Sequence, residues 1–265
     1  MSRFVSITLS LCTILCLVSC AHRPAIDAEG NLITRPSSSF LKNHGARQFD
    51  YLKRTKQVST DPRHMEQVNR VATKLQSAID LPEAEWEFVI FKDHSPNAFA
   101  LPGGKVGINT GLFSIVDSDA LLAAVLGHEI AHASSAHANQ RMRHAAAVFI
   151  GGALLYYVLE ENDADHPEQA VAAYALTSYL LETLPLSRRQ EYESDRIGAI
   201  YMAQAGYNPR QMIELWKRLS LYHTHHGNRK PEFLRTHPKD ANRIRSLREF
   251  MPIAMKHYHK SRKKE

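Results

Sequence analysis

Hydrophobic positions along this chain recur mainly at helical spacing. Between residues 65 and 79, six of the seven apolar residues lie mostly three or four positions apart, which is the period of one helix face. Asp61 and Pro62 precede this segment, and a capping residue followed by proline is a typical start of a helix. The pattern predicts a helix from Asp61 whose core face carries Met65, Val68, Val71, Ala72, Leu75 and Ile79.

The other apolar runs predict two strands and a series of helices. The run at 145–159 has 15 residues, which is short for a membrane span, so we expect a buried or cleft-flanking helix. A hairpin that touches a membrane stays open as the alternative. The predicted strands are 86–91 and 105–109, and helices are expected at about 117–138, 169–184, 187–206 and 238–250, with an acidic loop at 160–168.

Residues 128–132 carry the most informative chemistry, His-Glu-Ile-Ala-His. Histidines four apart lie on one face of a helix, so His128 and His132 can bind one metal ion. Glu129 is placed to reach a water molecule at that metal. Because such polar residues are costly in an apolar core helix unless they are paired or bind a metal, the context favours a catalytic zinc site.

The segment 187–199 offers a third ligand. Glu191 and Asp195 are four apart, so one can bind the metal while the other accepts a hydrogen bond from a ligating histidine. Glu193 points elsewhere by the same periodicity. A solvated helix face with pairs such as Glu191 and Arg188 is the alternative, and spacing alone does not decide between them.

Four segments together resemble the zinc metalloendopeptidase family that includes HtpX, the CAAX prenyl proteases and the mitochondrial Oma-type proteases. They are residues 97–104 (Asn-Ala-Phe-Ala-Leu-Pro-Gly-Gly), the 128–132 box, residues 191–195, and Thr-His-Pro at 236–238 followed by Arg243. One departure is Ser194, where alanine is commoner in the family. The layout is most similar to the periplasmic lipoprotein branch of BepA- and LoiP-like proteins, which lacks the membrane helices of HtpX.

The resemblance implies a fold and a set of roles. The fold is α+β and mostly helical, a zincin-like metallopeptidase domain with a small β-sheet edging the active-site cleft. Glu129 acts as general base and then acid, Asp195 orients a ligating histidine, and His237 is either a transition-state donor or an inhibitory fourth ligand. One Zn²⁺ per chain is bound by His128, His132 and Glu191.

By the same resemblance, the strand at 105–109 edges the cleft. An edge strand can pair with an extended polypeptide through main-chain hydrogen bonds. The implied substrates are unfolded or extended polypeptides, such as misfolded or stalled envelope proteins, and outer-membrane assembly machinery is an expected partner. The expected substrate-binding residues are Asn97, Ala98, Lys105, Val106, Gly107, Ile108 and Asn109.

Two rival functions stay open at this point. One is a zinc-stabilised chaperone that binds unfolded outer-membrane proteins and cuts rarely, and the other is an amidase that acts on cell-wall peptides. The intact Glu129 argues against pure binding, because a structural zinc site needs no base.

The N-terminus predicts export and lipidation. Arg3 precedes the apolar stretch 4–18, which ends in Leu-Val-Ser-Cys at 17–20 and resembles a lipoprotein box. Residues 1–19 are therefore the expected signal peptide, with Cys20 carrying the lipid. Ala21 follows where aspartate would favour the inner membrane, so the expected location is the periplasmic face of the outer membrane of a Gram-negative bacterium. Several acyl chains would make this membrane anchor stable.

Composition completes the domain prediction. We expect a lipidated, irregular tether at 20–59, the metallopeptidase domain at 60–252 and a basic tail at 253–265.

The formal net charge is +6. Because the chain lacks a nucleic-acid motif and basic residues interleaved with aromatic ones, and carries an export signal, nucleic acid is excluded as a partner.

Overall fold

The computed structural model describes residues 24–225, 232–237 and 241–263. The predicted signal peptide and Cys20 lie outside these residues and stay predictions. The described chain forms two compact units, which we call the hairpin unit (residues 139–189) and the main unit (the remainder).

The main unit contains a three-stranded sheet in the order β1-β3-β2. β1 (Glu87–Phe91) pairs parallel with β3 (Lys105–Asn109), and β2 (Ala98–Leu101) pairs antiparallel with the other side of β3. Both sides of β3 are therefore occupied. The expectation that Lys105, Val106, Gly107, Ile108 and Asn109 form an open edge is wrong, and β2 is an edge strand instead.

Six α-helices lie wholly within the main unit among the described residues. Their starts follow local chemistry: Asp61 accepts a hydrogen bond from the backbone N–H of Arg63, and Ser118 accepts one from Leu121. The helices are α1 (Ser39–Thr55), α2 (Pro62–Gln76), α3 (Asp119–Ser134), α7 (Gln211–His225), α8 (Glu232–Thr236) and α9 (Ala241–Ser261).

Helix α3 is the central helix of the main unit. Every residue from Leu121 to Ala131 is buried, which explains why the segment is apolar all around and shows little helical periodicity. The helix ends earlier than predicted, because Ala136 adopts a positive φ of 51° and turns the chain.

Three predictions about the main unit are wrong. The expected irregular tether contains α1, whose buried positions are Gly45 and Phe49. The last helix, predicted to end at 250, continues through most of the expected basic tail to Ser261, whose hydroxyl donates to the carbonyl of Ala203 at 2.7 Å. Met65 is 43% exposed, although Val68, Val71, Ala72 and Leu75 are buried as predicted.

The hairpin unit consists of two helical arms. The first arm is α4 (His137–Glu161), and the return arm is α5 (Pro167–Ser178), a π-helical turn (Tyr179–Thr183) and the start of α6 (Leu184–Gln204). By length and composition alone α4 could cross a membrane, and only 17% of its apolar window is buried. The predicted helix at 145–159 is confirmed, but its expected burial is wrong.

Candidate metal centre

Two helices and one short helical turn bring four potential metal ligands together. His128 and His132 come from α3, Glu191 comes from α6, and His237 follows α8. One ligand atom from each residue lies within 4.8 Å of the others. The three predicted ligands are thus neighbours, and His237 is the fourth member of the cluster.

A close helix crossing makes this convergence feasible. Gly127 on α3 faces Gly198 on α6, and a Cβ added to Gly198 would lie 2.9 Å from the backbone nitrogen of His128. A Cβ added to Gly127 would lie 3.0 Å from the carbonyl oxygen of Gly198. Both glycines are therefore required for the approach that places Glu191 against the two histidines.

The distances within the cluster suit zinc. His132 Nε2 lies 3.2 Å from His128 Nε2 and 3.2 Å from Glu191 Oε1. Ligand atoms about 2.0–2.1 Å from a tetrahedral zinc ion would be about 3.3 Å apart, and two histidines with a carboxylate form a known catalytic donor set. The residues present therefore fit the ion.

Asp195 lies behind His128, where it orients the imidazole. Its Oδ1 is 3.0 Å from His128 Nδ1 and also accepts a hydrogen bond from Trp216 Nε1 at 3.1 Å. Because Nδ1 is engaged, Nε2 is the ring nitrogen that faces the other ligands. The predicted position of Asp195 beside a ligating histidine agrees with this geometry.

Arg243 forms hydrogen bonds with two carboxylates on α6, Glu191 and Asp195. It donates from Nη1 to Glu191 at 2.8 Å and from Nη2 and Nε to Asp195 at 2.7 Å each. Its guanidinium also lies 3.7 Å from the ring centre of Trp216. The resemblance drew attention to Arg243, but only the structure shows that it is 2% exposed and holds both carboxylates.

A second buried chain of contacts lies behind His132. His132 Nδ1 is 2.9 Å from His137 Nδ1, and His137 Nε2 is 3.2 Å from Glu193 Oε2. The other oxygen of Glu193 accepts a hydrogen bond from the backbone N–H of Ala25. Glu193 does point away from the metal ligands, as predicted, yet it supports one of them. Sequence reasoning missed His137, although a histidine five residues after the box was a usable signal.

Glu129 lies between the ligand cluster and the sheet. The backbone N–H of Ala100 on β2 donates to Glu129 Oε2 at 3.1 Å, and His237 Nε2 lies 3.2 Å from Oε1. Burial raises the pKa of Glu129 above its ordinary value. A carboxylate with a raised pKa takes up and releases protons nearer neutral pH, as a general base and acid must.

His132 and Glu191 carry the charges that metal binding requires, whereas His128 must release a proton when a metal binds. Burial lowers the pKa of His132 well below its usual value, which leaves its nitrogen free for a metal. Burial also favours a neutral His128, but Asp195 and Glu191 outweigh that effect and raise its pKa to about 9. Although burial raises the pKa of Glu191, the nearby histidines lower it to well below the usual range.

Only two of the expected substrate-binding residues lie at the open sheet edge. Ala98 begins β2, and Asn97, which is 6% exposed, directly precedes it. The other five belong to β3. Since Ala100 donates its N–H to Glu129, the unpaired side of β2 faces the candidate metal centre.

Comparison with known proteins shows which family the chain matches. A family model described as "Peptidase family M48" matches residues 62–251. The mitochondrial metalloendopeptidase OMA1 of Schizosaccharomyces pombe is 32% identical over 187 residues, which are 71% of this chain and 53% of that protein. The beta-barrel assembly-enhancing protease of Escherichia coli (strain K12) is 29% identical over 198 residues, which are 71% of this chain and 39% of that protein. A putative beta-barrel assembly-enhancing protease of Vibrio cholerae is 28% identical over 214 residues, 78% of this chain and 43% of that protein. The chain thus spans about half the length, or less, of these relatives.

Proposed function

Since the chain belongs to peptidase family M48, whose metalloproteases use zinc, we propose that it is a zinc-dependent endopeptidase that hydrolyses internal peptide bonds of extended polypeptides. The observation that carries this proposal is the convergence of His128, His132 and Glu191 beside the buried carboxylate of Glu129. A purely structural zinc site would not need Glu129, because it leaves no position for water and requires no base.

The residues of the site have distinct roles in the proposed reaction. Zinc held by His128, His132 and Glu191 would supply a Lewis acid for the scissile carbonyl and lower the pKa of the attacking water. Glu129 takes a proton from that water as the new C–O bond forms. It then donates the proton to the amine nitrogen as the C–N bond breaks.

The surrounding residues hold this arrangement in place. Asp195 fixes the orientation of His128, His137 contacts the far nitrogen of His132, and Arg243 holds the carboxylate of Glu191. The N–H of Ala100 fixes one oxygen of Glu129. Such supporting contacts determine how precisely the reacting groups are positioned.

The substrate polypeptide pairs with β2. Its free edge faces the metal centre, so a substrate in an extended conformation adds a fourth strand beside Glu129. Main-chain hydrogen bonds would supply much of the binding energy, with weak sequence preference. This geometry favours protein substrates over cell-wall peptides with unusual linkages.

The cellular role is protein quality control in the bacterial envelope, where the enzyme removes misfolded or stalled proteins. The relatives' names include both a mitochondrial enzyme and a beta-barrel assembly-enhancing protease, so they suggest two different compartments. The signal-like segment 1–19 and the lipoprotein box at Cys20 favour the periplasm and the outer membrane. A chaperone that grips unfolded outer-membrane proteins and rarely cuts is the alternative role.

Casein cleavage with matched zinc measurements tests the proposal. We expect Glu129→Gln to retain zinc and lose cleavage by at least about a hundredfold, the lower end of general acid–base contributions. His128→Ala should lose both zinc and cleavage. Glu249→Gln and His259→Ala, at exposed positions, serve as controls and should match the wild type. Cleavage that survives in Glu129→Gln would overturn the mechanism, and a wild type that binds casein without cutting it would favour the chaperone.

A further inference from the structure

The exposed large apolar side chains of this protein are concentrated in the hairpin unit. Of 17 such side chains in the described part of the chain, 11 belong to residues 139–189. Phe149 is 78% exposed and Leu181 is 71% exposed. A soluble surface rarely presents so much contiguous apolar area without a partner that covers it.

These side chains surround α4 instead of forming one stripe. With 100° per residue, the exposed positions from Tyr156 through Phe149, Tyr157, Ile150 and Leu154 to Val158 cover an arc of about 200°. A partner helix would cover a narrower stripe. Exposure over more than half of the circumference is the pattern expected for a helix surrounded by lipid.

Each of the two arms contains a segment without charged residues. No charged residue occurs in 145–159 on the first arm or in 169–181 on the second. At one end of these segments His144 Nε2 lies 3.0 Å from Thr183 Oγ1 and His144 Nδ1 lies 4.0 Å from Glu182. The acidic turn at 160–168 forms the other end. Each apolar segment is about 20–22 Å long, which is less than a full bilayer core of about 30 Å but suits a thinned one, with the acidic turn beyond the hydrocarbon.

Basic side chains lie near the end of the hairpin unit that carries His144 and Thr183, as expected at a membrane surface. Arg143, Arg188 and Arg189 are exposed and lie just beyond the apolar segments of the two arms. Basic residues in this position attract anionic lipid headgroups. In addition, a cavity of about 790 Å³ opens between the arms, and its apolar walls suit acyl chains. It is lined by residues that include Val148, Phe149, Tyr156, Val171, Tyr174 and Leu186.

We propose that the hairpin unit embeds in a lipid bilayer, with the apolar sides of both arms in the hydrocarbon and Arg188 and Arg189 at anionic headgroups. This contact is separate from the predicted lipid on Cys20 and does not depend on the proposed enzymatic activity. The bilayer is preferred over a second copy of the chain because of the circumferential exposure, the charge-free segments and the basic residues at their end.

Site-specific fluorescence on the full-length protein in vesicles of phosphatidylethanolamine and phosphatidylglycerol tests this. The variants Phe149→Cys and Leu181→Cys carry an environment-sensitive dye, and the unsubstituted protein is the blank for labelling of the native Cys12, Cys16 and Cys20. Phe40→Cys and Leu221→Cys are matched controls, since these side chains are 64% and 58% exposed but belong to the main unit. Nitroxide on the acyl chains should quench dyes at 149 and 181 several-fold more than those at 40 and 221, and aqueous iodide should show the reverse order.

Two results would overturn the proposal. If iodide reaches all four positions equally, the hairpin unit is not in the bilayer. If positions 149 and 181 are shielded from iodide but not quenched by acyl-chain nitroxide, a protein surface covers them, and ultracentrifugation would identify a second copy of the chain. A further expectation is that Arg188→Gln with Arg189→Gln reduces the extra quenching seen when phosphatidylglycerol is present.

Discussion

At the residue scale, the position of His237 bears on how the proposed site is regulated. Its Nδ1 lies 3.0 Å from Glu191 Oε2 and 3.2 Å from His128 Nε2, and its Nε2 lies 3.2 Å from Glu129. We propose that a ring in this place acts as a fourth ligand and blocks water beside the general base. A catalytic zinc site needs that position open.

We therefore expect His237→Ala to increase casein cleavage several-fold at equal zinc content. Cleavage rates and bound zinc would be measured together, with His259→Ala as the exposed histidine control. A loss of activity at equal zinc would show instead that His237 donates to the transition state. Lost zinc in the variant would mean that His237 is a structural ligand.

The metal site was predictable because residue types that bind metals recur at the spacing of one helix face. The spacing of His128 and His132 and the pair Glu191 and Asp195 restricts the geometry, because α3 and α6 are regular helices. The support from His137 to Glu193 was not predictable in this way. It joins residues 56 positions apart, and the position of His137 soon after the box does not indicate which buried group it will meet.

At the element scale, the crossing of α3 and α6 positions the whole site. A Cβ at Gly198 would meet backbone atoms of Gly127 and His128 at 2.9 Å, and backbone cannot move aside as a flexible side chain can. Separation of the helices would pull Glu191 and Asp195 away from the histidines. The sequence shows two glycines inside helices, and only the fold shows that they face one another.

Gly198→Ala should therefore destabilise the protein by about 1–3 kcal/mol, the usual cost of overpacking, and weaken zinc binding. Gly152→Ala is the matched control, since it also lies in a helix but its added Cβ would be 3.6 Å from the nearest atom, in ordinary contact. It should be neutral or stabilising by up to about 1 kcal/mol. Urea unfolding and zinc titration of both variants would check this, and equal behaviour would argue against a tight crossing.

The elements that sequence reasoning misjudged depend on contacts that the local sequence does not show. α1 is mostly polar and has only two buried positions, so its segment resembles a solvated tether, and α9 continues through Pro252. For β3, sequence could predict a strand but not its neighbours, because strand order depends on contacts distant in the chain. The hairpin helix was predictable from composition, whereas its exposure was not, since an apolar helix is equally suited to a protein core and to lipid.

At the scale of the whole molecule, the buried site should couple folding to the metal. Glu129, Glu191 and Asp195 are all at most 6% exposed, and Arg243 is the buried cation that hydrogen-bonds to both Glu191 and Asp195 in the described structure. Burying several charged groups together is costly even when they are paired, so the metal-free main unit has an unfavourable cluster at its centre. The divalent ion offsets that cost, and an ion that binds the folded state stabilises it by mass action.

We expect chelation to lower the melting temperature, and added zinc to restore it. With free zinc at about 100 times its dissociation constant, the stabilisation would be about 2.7 kcal/mol. Glu129→Gln, which keeps all the proposed ligands, should show the full zinc-dependent shift, while His128→Ala should show little of it. Scanning calorimetry with and without chelator would measure both. A wild type whose melting temperature ignores chelation, with loss of zinc verified, would show that the hydrogen bonds of Arg243 and the histidines suffice to hold the site without metal.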